Sequence, residues 1–250
     1  RRNKHFIEVA MPNAPPLSQN EEEMLEGVRH LEKKLYEKGR RVKGTLKRGI
    51  GKFLWKGDDG KHWGGYVADI DASPKQVLFH VYHLNSYKWS RLHEEENGDL
   101  TRVIRDNVNG SRSLHYRVGK SIPAMKNRLF ESWQVWKEVT LGSGEQAYIF
   151  GFVPLSDGGD FGGLNKDGFI LGESSGIYIL TELAPEVCRV TRVQSVDLQT
   201  INLPAAALSI LAKIQLSGAN RMQDKYRRNG KKVDGEIREA LVVKMRRGIE

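Results

Sequence analysis

The sequence predicts an α+β fold in which one curved antiparallel sheet wraps around a long C-terminal helix. Six strand-like segments follow one another between residues 99 and 198. Most of their connections are short and rich in Gly, Asn, Asp or Pro, as antiparallel connections usually are. The longest helical pattern then runs from Pro204 to about Asn229. With 39% hydrophobic residues among 250, the chain can bury a core, which excludes wholesale disorder.

The N-terminal part divides into a lead-in and a helix. Residues 1–17 are basic and carry three prolines between Met11 and Leu17, which excludes a helix there. Ser18 and Glu21 match a capping box, the usual start of a helix. An apolar stripe at helical spacing then predicts one helix that ends at Gly39, and the stripe consists of Met24, Val28, Leu31 and Leu35.

A second helix is predicted after a first group of strands. Residues 42–72 have strand-like runs around a hairpin-like turn at 55–60. Ser73 then caps a helix that has proline at its first position and Gln76 three residues after the cap. Trp89 follows in a short irregular or helical piece.

The remaining strands are apolar runs bounded by turn residues, at 100–107, 111–118, 130–139, 146–153, 177–183 and 188–198. A glycine-rich surface loop is expected over 156–171. In the C-terminal helix, Leu208, Leu211 and Gln215 lie near one face. Residues 231–250 are expected to be a basic tail with a short amphipathic helix.

The net charge of +9 is concentrated at the two ends of the chain. Residues 1–50 hold twelve basic and seven acidic residues, and residues 221–250 hold ten and five. The body is nearly neutral, which argues against a nucleic-acid partner, because such proteins concentrate basic charge on the element that recognises the nucleic acid. The basic ends favour weak contact with an anionic membrane surface, or else they are solvated faces.

Chemistry-bearing motifs are few. Cys188 is the single cysteine, so neither an intrachain disulfide nor a cysteine zinc site can form, which favours a reducing, cytoplasmic compartment. His80 and His83 lie three residues apart without an evident further ligand, so no metal is expected. Phosphate-binding and serine-hydrolase motifs are missing, no cofactor is expected, and no stretch is apolar enough to span a membrane.

Three motifs, in the order of the chain, resemble those of START domains, the lipid transfer modules related to the steroidogenic acute regulatory protein. The helix start at Ser73 followed by Trp89 resembles the second helix of that family and its Trp. Asn127-Arg128-Leu129-Phe130 resembles the family's Asn/Pro-Arg-Asp-Phe, which opens a central strand. Ser195-Val-Asp197, followed by Leu203-Pro204, resembles the passage from the last strand into the long helix.

The resemblance covers residues 18–230 and includes three departures. Leu129 stands where the family has Asp, Gln199-Thr200 stands where Lys-Gly is usual, and residues 169–172 lack an arginine often found there. The chain is therefore identified as a divergent member. Five motif residues are expected to be structural: Trp89, Arg128, Phe130, Asp197 and Pro204.

The resemblance implies a helix-grip fold with an internal hydrophobic cavity that holds one lipid or sterol without catalysing a reaction. The C-terminal helix and a loop at 119–127 would act as a lid. The apolar tip of that loop consists of Ile122, Pro123, Ala124 and Met125. The cavity face of the helix would include Leu208, Leu211 and Gln215.

Counting from the Arg128 motif, the resemblance places polar ligand contacts on the two strands beside the lid loop. His115 would act with Ser113 and Arg117 on one strand, and Gln134 with Trp136 on the other. A His and Gln pair can both donate and accept hydrogen bonds without a buried net charge, which suits a hydroxyl, amide or ester head. The alternative is that these faces point to solvent and the opposite ones line the cavity, namely Leu114, Tyr116, Val118, Trp133 and Val135.

Three functions remain open on the sequence alone. The first is a lipid or sterol carrier or sensor. The second is a regulatory or interaction module of a larger protein, because the chain begins with Arg1 and a proline-rich lead-in and is expected to be cut from a longer or matured chain. The third is a helix-grip enzyme of the cyclase or hydrolase type, with His115 as acid or base.

Overall fold

A computed structural model describes residues 16–43, 46–84, 86–106, 112–122, 125–141, 145–155, 168–200 and 205–247, without the side chains of 106, 205–214 and 247. Among these residues the helices are α1 Gln19–Arg29, α2 Leu31–Lys38, α3 Pro74–Tyr82, α4 Tyr87–Asn97, α5 Ala205–Lys225 and α6 Gly230–Arg247. The strands are β1 Arg40–Arg41, β2 Gly49–Lys56, β3 His62–Ile70, β4 Arg102–Asp106, β5 Ser113–Lys120, β6 Arg128–Thr140, β7 Gln146–Pro154, β8 Ile170–Ala184 and β9 Val187–Asp197.

The nine described strands form one sheet in the order β1-β2-β3-β9-β8-β7-β6-β5-β4. Neighbouring strands pair antiparallel, as the short turn-rich connections predict. The one parallel pairing is short and joins the start of β6 to the start of β8, where Phe130 lies opposite Gly172. The architecture is the predicted α+β sheet with the long helix α5 following the last strand.

The first helix is divided at His30, where the sequence predicts a single helix. Ser18 and Glu21 form the capping box, with the Ser18 backbone N–H donating to the Glu21 carboxylate at 2.7 Å. His30 keeps right-handed helical angles, so α2 continues with little change of direction. The apolar stripe therefore stays on one side and is buried: Met24, Val28, Leu31 and Leu35.

The sheet has two faces, and each packs against different helices. The outer face is defined as the one covered by α1 and α2, where Leu25, Leu31 and Leu35 contact Val67, Val135, Ile149 and Val193 of the strands. The inner face is defined as the one that packs on α3 and α5, where Val77 and Met222 contact Tyr66, Trp136, Tyr148, Phe150 and Leu180. Because side chains alternate along a strand, each strand contributes to both cores.

Helix α5 approaches the inner face closely at β3. A Cβ atom on Gly64 would lie 2.5 Å from Oε1 of Gln215, so only glycine fits beneath the helix at this point. The C-terminal part of α5 is anchored there by Ala219 and Met222, which are 0% and 3% exposed. The N-terminal half of α5, residues 205–214, comes after β9 in the chain.

Residues 231–247 are helical, as expected from the sequence, and their helix packs on the sheet. Val233 of α6 is fully buried against Ala184 and Val187 at the β8–β9 turn. Arg228 pairs with Glu236 and donates to the main-chain oxygen of Glu186 at 3.0 Å, which fixes the start of the helix. Residues near its C-terminus expose apolar side chains: Leu241, Val242, Val243 and Met245.

Candidate functional site

The inner face carries an aromatic row across four central strands. Trp136 of β6 lies opposite Phe150 of β7, Phe150 opposite Tyr178 of β8, and Tyr178 opposite Arg192 of β9. The Phe150 and Tyr178 rings stack with centroids 5.5 Å apart. Tyr82 of α3 packs edge-on against Trp136 and Phe150, with ring centroids 6.4 and 5.7 Å apart. The row is thus part of the inner core, and aromatic side chains of this kind are common in the lining of ligand sites.

Gln134 adds a polar group to the inner face next to this row. Its side chain is 8% exposed, and its Nε2 donates to Oγ of Ser132 at 3.2 Å. Its Oε1 is buried and has no hydrogen-bond partner among the described residues. Buried polar atoms are nearly always paired, because an unpaired one costs about 1–3 kcal/mol. Gln134 Oε1 is therefore an acceptor open to a donor from a ligand or a water.

A second cluster of polar residues on the inner face is centred on Arg192. The Nη1 atom of Arg192 donates to the main-chain oxygen of Gln215 on α5 at 2.7 Å, and Nη2 donates to Oε1 of Gln194. Gln194 in turn donates to Oγ of Ser174 at 2.8 Å. Nε2 of Gln215 donates to the main-chain oxygen of His62 at 3.1 Å. These contacts hold the middle of α5 against β3 and β9.

The predicted lid loop packs against the end of β9 and the residue that follows it. Ile122 is 4% exposed and packs with Val196 and Leu198, and Met125 and Phe130 pack against the same cluster. Phe130 therefore supports the loop from β6. Pro123 and Ala124, the other two predicted tip residues, lie outside the described residues.

Arg128 fastens the end of this loop to the segment after β9. Its Nε donates to the main-chain oxygen of Leu198 at 2.8 Å, and Nη2 donates to Oγ1 of Thr200 at 2.9 Å. Nη1 donates to the main-chain oxygen of Lys126. Burial lowers the pKa of the Arg128 guanidinium. Its partners among the described residues are carbonyl and hydroxyl oxygens, so the link joins the loop to the α5 approach without a carboxylate.

Ser113, His115 and Arg117 do not share a face with Gln134, contrary to the predicted pair. In the β5–β6 register Leu114 lies opposite Gln134, and His115 lies opposite Trp133. Trp133 packs with the outer core and Trp136 with the inner one. The count from Arg128 gave strand positions but not the register, and a one-residue offset moves every side chain to the other face.

The outer positions of β5 have structural partners. Ser113 is 1% exposed beneath α1, and Arg117 is buried in an ion pair with Glu131. His115 is half-buried, and its pKa is lowered by burial and by the nearby charge of Arg105. The inner face of β5 is instead formed by Leu114, Tyr116 and Val118, as in the alternative drawn from the sequence, while Trp133 and Val135 of that alternative lie on the outer face.

The remaining residues predicted as structural or as ligand contacts lie in several elements. Trp89 lies in the first turn of α4, and its Nε1 donates to the main-chain oxygen of His80 at 2.9 Å. Asp197 accepts from the backbone N–H of Gln199 at 2.7 Å and so shapes the turn after β9. Gln215 lies on the inner side of α5. Leu208 and Leu211 lie in α5, but their side chains are outside the described ones, as is Pro204.

The polar cluster of Arg192, Gln194 and Ser174 was not predicted from the sequence. A signal was available, because Arg192 and Gln194 continue the alternate positions of strand 188–198 that begin with the apolar Cys188 and Val190. Two polar residues on one face of a buried strand indicate a polar cluster inside the fold.

Two negative findings concern the described part of the chain. None of its helices has the length and apolar character needed to cross a membrane. Within the same residues, no three His, Cys, Asp or Glu side chains are grouped in a way that could hold a metal ion.

Searches against family models and against curated proteins find no match to this sequence. Solved structures do match. The human StarD13 (DLC2) lipid transfer and protein localization domain is 14% identical, with TM-score 0.53 over 86% of this chain and 100% of that one. Human STARD10 is 13% identical, with TM-score 0.54 over 85% of this chain and 80% of the other. Human StAR-related lipid transfer protein 5 is 12% identical, with TM-score 0.52 over 90% and 97%. The chain therefore has the helix-grip fold of START domains.

Proposed function

We propose that this chain is a lipid-binding domain that holds one lipid between the inner face of the sheet and α5. The observation that carries the proposal is the buried, unpaired Oε1 of Gln134 beside the aromatic row of Trp136 and Phe150. An apolar surface with a few polar groups is the usual lining of a ligand site. The fold agrees, since the similar structures include a lipid transfer and protein localization domain and a StAR-related lipid transfer protein.

In the proposed site, apolar groups supply affinity and polar groups fix the orientation of the lipid. Each buried CH₂ contributes about 0.8 kcal/mol, so an acyl chain or a sterol ring system gains most of its affinity from the aromatic row. Gln134 and Ser132 fix orientation, because Oε1 of Gln134 accepts a hydrogen bond and the Ser132 hydroxyl can turn toward the ligand. Both a lipid with a hydroxyl and one with an amide head satisfy this pair.

A lid completes the proposed mechanism. Ile122 and Met125 cover the end of the inner face by packing on Val196 and Leu198, and Arg128 ties the loop to the residues before α5. Uptake and release then require this small apolar cluster to open, together with the start of α5. Contact of the exposed loop with a membrane would supply an apolar environment for Ile122 while the cluster is open.

Peripheral contact with an anionic membrane is part of the proposal. The chain carries a net charge of +9, and α6 exposes Leu241 and Met245 next to the basic Arg238 and Arg246. Each basic residue close to an anionic surface contributes about 1 kcal/mol. Binding to phosphatidylserine vesicles should therefore weaken as salt is raised.

The proposal is tested by vesicle-to-vesicle transfer of a panel of fluorescent lipids that includes a sterol and phospholipids. The full chain should accelerate the transfer of at least one of them and retain it after gel filtration. Replacing Gln134 by Ala should weaken retention. Ser217→Ala serves as the control, because Ser217 is a half-buried position on α5 whose hydroxyl accepts from Arg221. A chain that neither retains nor moves any lipid of the panel contradicts the proposal.

A further inference from the structure

Arg192 is a buried cation on the inner face that lacks an acidic partner. The residue is 8% exposed. Its two Nη atoms donate to the main-chain oxygen of Gln215 and to Oε1 of Gln194, which are both uncharged. Its Nε is buried and has no hydrogen-bond partner, and no carboxylate among the described residues forms an ion pair with it.

The two other buried arginines among the described residues, Arg117 and Arg128, and the partly exposed Arg189 are satisfied differently. Arg117 is paired with Glu131. Arg128 donates from Nε to the main-chain oxygen of Leu198 at 2.8 Å. Arg189, on the same strand as Arg192 but on the outer face, donates from Nε to Asp69 at 2.9 Å. In each of these three, Nε has an acceptor, whereas in Arg192 it has none among the described residues.

The rings around Arg192 stabilise its guanidinium weakly and do not neutralise its charge. The guanidinium lies over the rings of Tyr178 and Tyr66, at 5.2 and 5.8 Å from the centroids. Ring faces attract a cation by about 0.5–2 kcal/mol, which is less than the several kcal/mol that burial of an unpaired charge costs. An arginine stays protonated, so the partner that offsets the remaining cost most strongly is an anion.

A second guanidinium adds to the positive potential of the inner face. Arg112 precedes β5, and its guanidinium lies over the Trp136 ring at 5.3 Å from the centroid. Its Nε is also buried without a hydrogen-bond partner among the described residues. The aromatic row therefore has an arginine at each end. The Glu21 carboxylate lies close enough to Arg112 to offset part of its charge, so Arg192 is the cation that favours a ligand with negative charge.

We propose that the lipid bound by this domain carries an anionic oxygen group, a carboxylate or a phosphate, and that Arg192 binds it through Nε–H and a free Nη–H. The inference rests on the proposed lipid-binding function and specifies its ligand class. Arginine offers two parallel N–H donors that match two anionic oxygens, and such charge-assisted pairs are stronger than neutral ones. Gln134 then contacts a polar group elsewhere on the same lipid.

The test uses the full chain and two matched pairs of lipids. Oleic acid is compared with oleyl alcohol, and phosphatidic acid with diacylglycerol, by competition against a fluorescent lipid that the chain retains. We expect the acidic member of at least one pair to bind about tenfold more tightly than its neutral partner. The pair that shows the preference tells a carboxylate ligand from a phosphate ligand.

Variants then assign the preference to Arg192. Arg192→Gln should reduce the preference to less than twofold while the neutral member binds as before, and Arg192→Lys should keep part of it. Arg189→Gln is the matched control, because it removes an arginine from the outer face of the same strand. Thermal unfolding of each variant shows that the fold is kept.

Each outcome has a distinct meaning. Equal binding of acidic and neutral members overturns the inference and leaves the lipid-binding function standing. A preference that survives in Arg192→Gln also overturns it, because the anion is then held elsewhere. Failure of the chain to bind any member of either pair, or any lipid of the wider panel, contradicts the proposed function itself.

Discussion

Arg117 donates a hydrogen bond from Nε to Oε1 of Glu131 at 2.7 Å, across the β5–β6 pairing and on the outer face of the sheet. The two side chains are 3% and 5% exposed. The pair lies on the opposite face from Gln134, so this buried ion pair is structural and lies outside the proposed ligand site.

Removing one partner of this pair should destabilise the fold strongly, because a buried charge is left without compensation. We expect Arg117→Ala to lower the free energy of unfolding by about 3–5 kcal/mol. The double variant Arg117→Met with Glu131→Leu should recover much of that loss, since no charge remains buried. Urea unfolding measures both. A double variant as unstable as the single one contradicts this account.

Gln134 and His115 should behave differently in lipid binding because they lie on opposite faces. Gln134→Leu should weaken the binding of a hydroxyl-bearing or amide-bearing lipid by about 5–10-fold, the value of one hydrogen bond. His115→Ala should change it by less than about twofold. The same competition assay reads both variants. A larger loss in His115→Ala than in Gln134→Leu would place the ligand on the outer face.

His80 should make the fold sensitive to acid. Burial, then the charges of Lys225 and Lys88, lower the pKa of His80 from its ordinary 6.5 to about 3. The unfolded chain therefore binds the proton first, and stability is lost as pH falls from about 6.5 toward 3.

Replacing His80 by Phe keeps a ring against Trp89, which His80 stacks on with centroids 5.6 Å apart. The variant should lose less stability than the wild type between pH 7 and pH 4, by about 1–3 kcal/mol. Urea midpoints at several pH values measure the difference. Parallel pH profiles for the two proteins would show that His80 titrates normally.

Gln199 is the one described non-glycine residue in the left-handed region, with φ 52°. It stands where the resembled family usually has lysine, directly before Thr200 at the family's glycine position. A side chain in the left-handed region costs about 1–2 kcal/mol. Gln199→Gly should stabilise the fold by about 0.5–1 kcal/mol after the entropy of glycine in the unfolded chain is subtracted. The backbone N–H bond to Asp197 remains. A loss of stability would show that the Gln199 side chain contributes more than its backbone costs.

Ile122 should control how quickly lipid enters and leaves. Truncation to Ala leaves a gap against Val196 and Leu198, which costs about 2–4 kcal/mol and favours an open lid. Ile122→Ala should therefore accelerate the exchange of a retained lipid several-fold. Ile50→Ala, the same substitution at an exposed position of β2, is the control. If the variant is less stable but exchanges lipid at the same rate, the loop does not control access to the proposed site between the inner face and α5.

The order of elements could be predicted from the sequence because each carried a local signal. The capping boxes at Ser18 and Ser73 mark both helix starts, and the alternating strands from residue 100 mark the sheet. The break at His30 left no such signal, since the apolar stripe runs through it. Trp89 lies in a regular helix, α4, whose start is capped by Ser86.

The site was harder to predict because it depends on strand register. Spacing predicted that Gln134 and Trp136 share a face, because side chains two residues apart on a strand point the same way. Whether His115 or Leu114 lies beside Gln134 is set by the turn between β5 and β6, whose length does not reveal it. Arg192 lies far from these residues in the chain, and only the β8–β9 and β3–β9 pairings bring it to the same face.

The central claim is that one lipid lies between the inner face and α5. Its most direct test is native mass spectrometry of the full chain loaded with a lipid that carries a photoactivatable diazirine, followed by mapping of the labelled peptides. The account predicts one lipid per chain, with label on the inner-face peptides of β6, β7 and β9 that contain Gln134, Phe150 and Arg192. The absence of a stoichiometric complex, or label confined to α1, α2 and the outer face, would contradict it.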